Sequence, residues 1–186
     1  MTRIVGIAGS LRKGSFNAGL LRAAAELAPP GVTLEIGTIR GIPLYDADVE
    51  AAGIPDAVRV LKDQVAASDG LLLVTPEYNS SIPGVFKNAI DWLSRPPDDV
   101  PRLFRNRPVG IIGTSPGRFG TVLSQTAWLP VVRTLGMQPW YGMPLYLSDA
   151  RSAFDDSANL VDTEARGRLT KYLDGFSKFV AASTPM

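Results

Sequence analysis

The sequence predicts an α/β sandwich built on a parallel sheet, and two observations predict it. Four short runs are apolar throughout rather than alternately: Ile4 to Ala8, Leu34 to Ile36, Leu71 to Val74 and Val109 to Ile112. A strand covered by helices on both faces needs that continuous character. Between the runs the apolar period lengthens to that of a helix, so strands and helices alternate along the chain. Such alternation marks a doubly wound sheet.

Taken in order, the first strand is followed by a helix whose inner face carries Leu20, Leu21, Ala24, Leu27 and Ala28. The second leads to a helix lined by Val58, Leu61 and Val65, with Pro55 suited to its first turn. After the third strand, Pro83-Gly84 opens a helix carrying Phe86, Ala89, Ile90 and Leu93. The fourth strand precedes a helix from Val122 to Leu135 that Pro130 is expected to bend. A fifth, weaker strand lies within MQPWYGMPLYL, where Pro139 and Pro144 fit an edge position. The last helix carries Leu169, Tyr172, Leu173, Phe176 and Val180, and the proline-rich RPPDDVP reads as a loop. Five strands and five helices give a three-layer sandwich, a five-stranded parallel sheet whose simplest right-handed arrangement is the flavodoxin-like order 2-1-3-4-5. Ligands bind such sheets beyond the carboxyl ends of the strands, beside strand 1. The loops after strands 1, 3 and 4 are therefore expected to share one site.

At 186 residues the chain is expected to form one domain over residues 1–186. Its formal charge of +1 is spread over mixed signs, which argues against a nucleic-acid partner. No apolar run approaches the roughly 20 residues of a membrane span. The opening MTRIVGIAGS reads as a strand rather than a leader, so the cytoplasm is expected. Cys and His are both absent, which excludes disulfides, thiolate nucleophiles, His-ligated metals and Ser-His-Asp catalysis. Any chemistry must use carboxylates, Lys, Tyr, backbone amides or a borrowed cofactor.

The first loop, GSLRKGSFN (Gly9 to Asn17), leaves a strand and enters a helix at once. A helix N-terminus offers unpaired N–H groups and partial positive charge, which suit a phosphate. Ser10 and Ser15 add hydroxyls, Asn17 an amide, Arg12 a charged contact, and Gly9 and Gly14 room for close backbone approach. The spacing Gly9–Gly14 matches a P-loop, but Ser15-Phe16 stand where Lys-Ser/Thr belongs, and G-x-G-x-x-G is absent. The loop is thus either a cradle for a terminal monoester phosphate or a polar turn capping a helix.

After the third strand, Pro76, Glu77, Tyr78 and Asn79 offer an aromatic surface, donors and acceptors where a ring attached to that phosphate would lie. After the fourth, GTSPGRFGT (Gly113 to Thr121) repeats the theme of hydroxyls and glycines. GSLRKGSFN and TPEYNSSIPGVFKNAIDWLSR together resemble the two signature segments of NADPH-dependent FMN reductases, a flavodoxin-like family that includes quinone and chromate reductases. The similarity runs from Arg3 to about Gly120.

The resemblance implies that Ser10, Arg12, Ser15, Phe16 and Asn17 hold the phosphate of FMN, and that Pro76, Glu77, Tyr78 and Asn79 hold its ring edge. Ser115 and Gly117 would close the far side, although Arg118 and Phe119 replace the glycines common there. Arg118 either meets a nicotinamide-nucleotide phosphate or faces solvent. The implied activity is hydride transfer from NADPH or NADH through FMN to a small acceptor such as a quinone, an azo compound or chromate. No side chain is assigned as catalytic and no metal is expected. The third helix, with Lys87, Asn88, Asp91 and Trp92, is implied to form the contact of a homodimer or homotetramer. PLYDADVE (Pro43 to Glu50) is either a second cleft wall or a surface loop, and DARSAFDDSANLVD reads as a solvated loop. The alternative is an electron carrier with the same fold and no turnover of its own. A pI near 8.0 argues against the acidic docking face of such a carrier.

Overall fold

The computed structural model describes residues 1–183. Its strands are β1 (Thr2–Ala8), β2 (Val32–Gly37), β3 (Gly70–Val74), β4 (Pro108–Thr114), β5 (Gln138–Pro139) and β6 (Tyr146–Leu147). The long helices are α1 (Phe16–Glu26), α3 (Asp56–Ala66), α4 (Gly84–Leu93), α6 (Val122–Leu135) and α8 (Thr163–Ser183). Short helices α2 (Ala47–Ala52), α5 (Val100–Leu103) and α7 (Ala150–Ala153) complete the set, with one turn of 3-10 helix at Pro97–Asp99. All strand pairs are parallel, and the sheet runs β2-β1-β3-β4-β5 with β6 also on β4. This is the order read from the sequence.

The continuous apolar runs have a direct cause. Alternate residues of a strand point to opposite faces, and here both faces are covered. Ile4, Leu72 and Ile112 join Leu20, Leu21, Leu169, Tyr172 and Phe176 on the α1/α8 side. Val5, Ile7, Leu71, Leu73 and Val109 meet Val58, Leu61, Phe86, Trp92 and Trp128 on the other. Outermost β2 is the exception among the four runs. Its Ile36 is 46% exposed rather than buried.

The fifth strand is not continuous. β5 pairs with the start of β4 (Pro108↔Gln138) and β6 with its end (Gly113↔Tyr146). The Trp140 amide still donates to the Val109 carbonyl and the Leu145 carbonyl accepts from the Gly113 amide, and the ladder is interrupted over residues 141–144, where Pro144 lacks the N–H group that a ladder needs. Two segments read as loops, and PLYDADVE, left open between a cleft wall and a surface loop, carry structure. RPPDDVP contains the 3-10 turn and the start of α5, where Lys62, almost wholly buried, donates to Asp99 at 2.7 Å and to the carbonyl of Arg95. PLYDADVE contains the start of α2, capped by Asp46, whose carboxylate accepts from the amide of Asp48. DARSAFDDSANLVD is not a solvated loop: Ala150, Ala153, Phe154, Ala158 and Leu160 are buried. This segment lies against α1 so closely that a Cβ on Gly19 would stand 1.8 Å from the Ala158 carbonyl. The α6 helix continues through Pro130 to Leu135. Among the described residues no helix is long and apolar enough to cross a membrane.

Candidate functional site

The carboxyl ends of β1, β3 and β4 deliver their loops to one cleft of about 170 Å3. Nine of the eleven residues singled out from the sequence line it: Ser10, Arg12, Ser15, Phe16, Asn17, Pro76, Glu77, Tyr78 and Ser115. Asn79 and Gly117 stand outside that lining. Asn79 and Ser80 form the tip of a tight turn with positive φ (50° and 60°), closed by paired backbone bonds between Tyr78 and Ser81. That is the conformation of a type I′ turn, which Asn tolerates well.

The first loop places a helix N-terminus at the cleft. Ser15 caps α1, its Oγ accepting from the Ala18 amide at 3.2 Å, and keeps a hydroxyl proton to donate. The amides of Phe16 and Asn17 precede the first intrahelical bond, Gly19 to Ser15 at 3.0 Å, and carry no backbone partner among the described residues. Arg12 is exposed and lies over the Phe16 ring, 5.9 Å from its centroid. Gly9 is needed for a different reason than freedom near an anion: a Cβ there would stand 2.2 Å from the Phe86 ring.

Several side chains of the cleft bind the protein itself. The buried Asn17 amide spans to β4, donating to the Thr114 carbonyl at 2.9 Å and accepting from the Thr114 amide at 3.0 Å. The Glu77 carboxylate accepts from the amides of Leu123 and Ser124 at 2.9 and 3.0 Å, capping α6 from another loop. Beyond the lining, the fully buried Thr75 Oγ1 meets Ser124 Oγ at 2.8 Å and accepts from Trp128 Nε1 at 3.1 Å. Ser115 Oγ donates to the Gly120 carbonyl at 2.6 Å and accepts from the Gly117 amide at 3.2 Å, shaping the third loop. These bonds lock the three loops together. Tyr78, by contrast, is 53% exposed.

Thr114 and Pro116, within the GTSPGRFGT segment but not named individually as site residues, also line the cleft. Thr114 Oγ1 is buried without a hydrogen-bond partner among the described residues. The signal was present: a hydroxyl ending an apolar run at a strand's carboxyl end. Lys87 and Asp91 form the expected helix pair at 2.7 Å, and Asn88 and Trp92 donate to the Pro43 carbonyl. Arg118 and Phe119 are exposed.

The cleft is thus lined by the potential anion donors of the first loop together with the mixed polar and apolar residues of the second and third. The model of the family described as NADPH-dependent FMN reductase matches residues 2–148. An NAD(P)H-dependent FMN reductase of Pseudomonas aeruginosa is 43% identical, over 96% of this chain and 95% of that protein. A 2-hydroxy-1,4-benzoquinone reductase of a Burkholderia species is 38% identical, over 96% of each. Among solved structures, the flavoenzyme NAD(P)H:(acceptor) oxidoreductase FerB of Paracoccus denitrificans aligns with a TM-score of 0.86 at 31% identity, over 98% of both chains. The fold, the shared cleft and these similarities together identify the chain as a member of the NADPH-dependent FMN reductase family.

Proposed function

We propose that the cleft holds FMN, with its phosphate on the donors of the first loop and its ring system along Pro76, Glu77, Tyr78 and Ser115. The chain is an FMN-dependent NAD(P)H oxidoreductase, and its family relatives favour that reading over a carrier without turnover. The observation that carries the residue assignment is the donor set. Ser10, Arg12, Ser15, Phe16 and Asn17 of the first loop line the same cleft and bring it two helix-end amides, two hydroxyls and a guanidinium. A phosphate monoester, rich in acceptors and lacking donors when ionised, complements such a group.

FMN supplies the acceptance and donation of hydride when bound. This chain's residues bind and orient. Arg12 and the α1 amides fix the anionic end, while the Asn17 bridge and the Glu77 cap hold the three loops at a constant spacing. Preorganised placement of two reactants is what such a site contributes to rate. We assign no side chain to proton transfer, because Glu77 is committed to α6 and the chain has no His or Cys.

The acceptor is a small molecule, with quinones favoured over azo compounds and chromate by the relatives' names. Assembly as a homodimer or homotetramer belongs to the same reading, with exposed Leu44, Tyr78 and Val85 available to a second copy. So does residence in the cytoplasm, where nicotinamide nucleotides are held. The test is steady-state oxidation of NADPH by the FMN-loaded protein with a benzoquinone and no partner protein. Sustained turnover is expected. A protein that binds FMN but turns over only with a partner protein contradicts the enzyme reading.

A further inference from the structure

The first loop has a second concave face. On the side turned to β2 it borders a hollow of about 330 Å3 whose floor includes Leu21, Ile36 and Ile39. Arg12, Lys13, Arg22 and Arg40 line it, and no carboxylate among the described residues does. None of these four cations takes part in an ion pair among the described residues, although the chain as a whole nearly balances its charges. Arg22 is partly engaged: it donates to the carbonyls of Ser157 and Ala158 and lies near Asp155. The other three carry the field. The Arg40 guanidinium is held over the loop by one bond to the Leu11 carbonyl at 2.9 Å, which leaves further donors open. A concave, single-sign wall on a weakly polarisable floor concentrates potential and draws a counter-charged ligand.

The hollow and the cleft share Ser10 and Arg12, so one extended molecule can pass from one to the other around the loop. We propose that the hollow binds the 2′-phosphoadenosine end of NADPH, an inference that rests on the cleft being the site reduced by a nicotinamide nucleotide. Its two halves match the two chemistries of that end. The half-exposed side chains of Leu11 and Ile36 offer an apolar surface to adenine, and Lys13 and Arg40 offer donors to a dianionic monoester. An arginine beside the ribose is a general means of accepting a 2′-phosphate. NADH lacks that phosphate, so the hollow discriminates between the two nucleotides.

The experiment compares the holoenzyme with the double variant Lys13→Ala/Arg40→Ala in steady-state kinetics with each nucleotide. Arg12 is left in place because it belongs to the cleft. The KM for NADPH is expected to rise about ten-fold or more, the loss that charge-assisted contacts carry. The KM for NADH, both kcat values and the FMN content should stay unchanged. Equal shifts for both nucleotides, or none, overturn the proposal. So does Arg118→Ala producing the selective shift while the double variant does not. A second measurement needs no variant: titration of the native holoenzyme by calorimetry. There 2′,5′-ADP is expected to bind at least about ten-fold more tightly than 5′-AMP and to compete with NADPH. Equal binding of the two overturns the proposal. A holoenzyme that oxidises neither nucleotide refutes the reading of the cleft instead, while this titration still reads the hollow.

Discussion

The two faces of the first loop use polar side chains in opposite ways. On the cleft face the polar residues most recognisable in the sequence are largely tied to the protein: Asn17 to Thr114, Glu77 to the end of α6, Ser115 to its own loop. On the β2 face Lys13 and Arg40, with Arg12 bordering both hollow and cleft, are exposed and have no ion-pair partner among the described residues. A binding signature therefore mixes residues that hold loops in place with residues that offer themselves to a ligand. The two kinds respond differently to substitution, and that difference can be measured.

The largest effect is expected from Asn17→Ala. It leaves the buried amide and carbonyl of Thr114 without their partner, at a cost on the order of 3 kcal/mol. Melting of the apoprotein should fall by several degrees, with FMN affinity falling alongside it. An unchanged apoprotein Tm would mean that the bridge forms only with ligand and would erase the contrast between the two faces.

Next is Glu77→Ala, which removes an acceptor from two amides at the start of α6. Loss of a cap of this kind costs about 1–2 kcal/mol. Thermal melting of apoprotein and holoprotein should both register it. Loss of FMN affinity with no change in apoprotein melting would move Glu77 from the loop-holding residues to the ligand-contacting ones.

The smallest effect on folding is expected from Arg12→Ala. This exposed side chain makes no ion pair among the described residues, so apoprotein stability should change by less than about 0.5 kcal/mol. FMN affinity, measured by fluorescence titration, should nevertheless fall about ten-fold, and more steeply at low salt. An affinity unchanged at any ionic strength would remove Arg12 from the phosphate donors.

The sheet was legible because burial on both faces writes itself into a strand as an unbroken apolar run, as at Leu71 to Val74. The split edge was less legible. Pro139 and Pro144 signal an edge, but where the chain leaves the ladder depends on tertiary packing. The cleft's membership was readable from loop composition, whereas its internal bonds were not. Asn17 meets a residue 97 positions away and Glu77 one 46 positions away, and no local pattern encodes such a pairing. Gly9 shows the same limit: it was read as freedom for a bound anion, but the Phe86 ring from α4 requires it. The basic hollow was invisible for a further reason. Its four cations lie scattered between residues 12 and 40, form no charge run, and converge only when β2 pairs with β1.

The most direct test of the central claim is the visible absorption spectrum of the purified protein after incubation with FMN and removal of the excess, with chemical identification of any flavin released. A bound flavin spectrum and release of FMN are the result this account predicts. A colourless protein that leaves added FMN free in solution would contradict it.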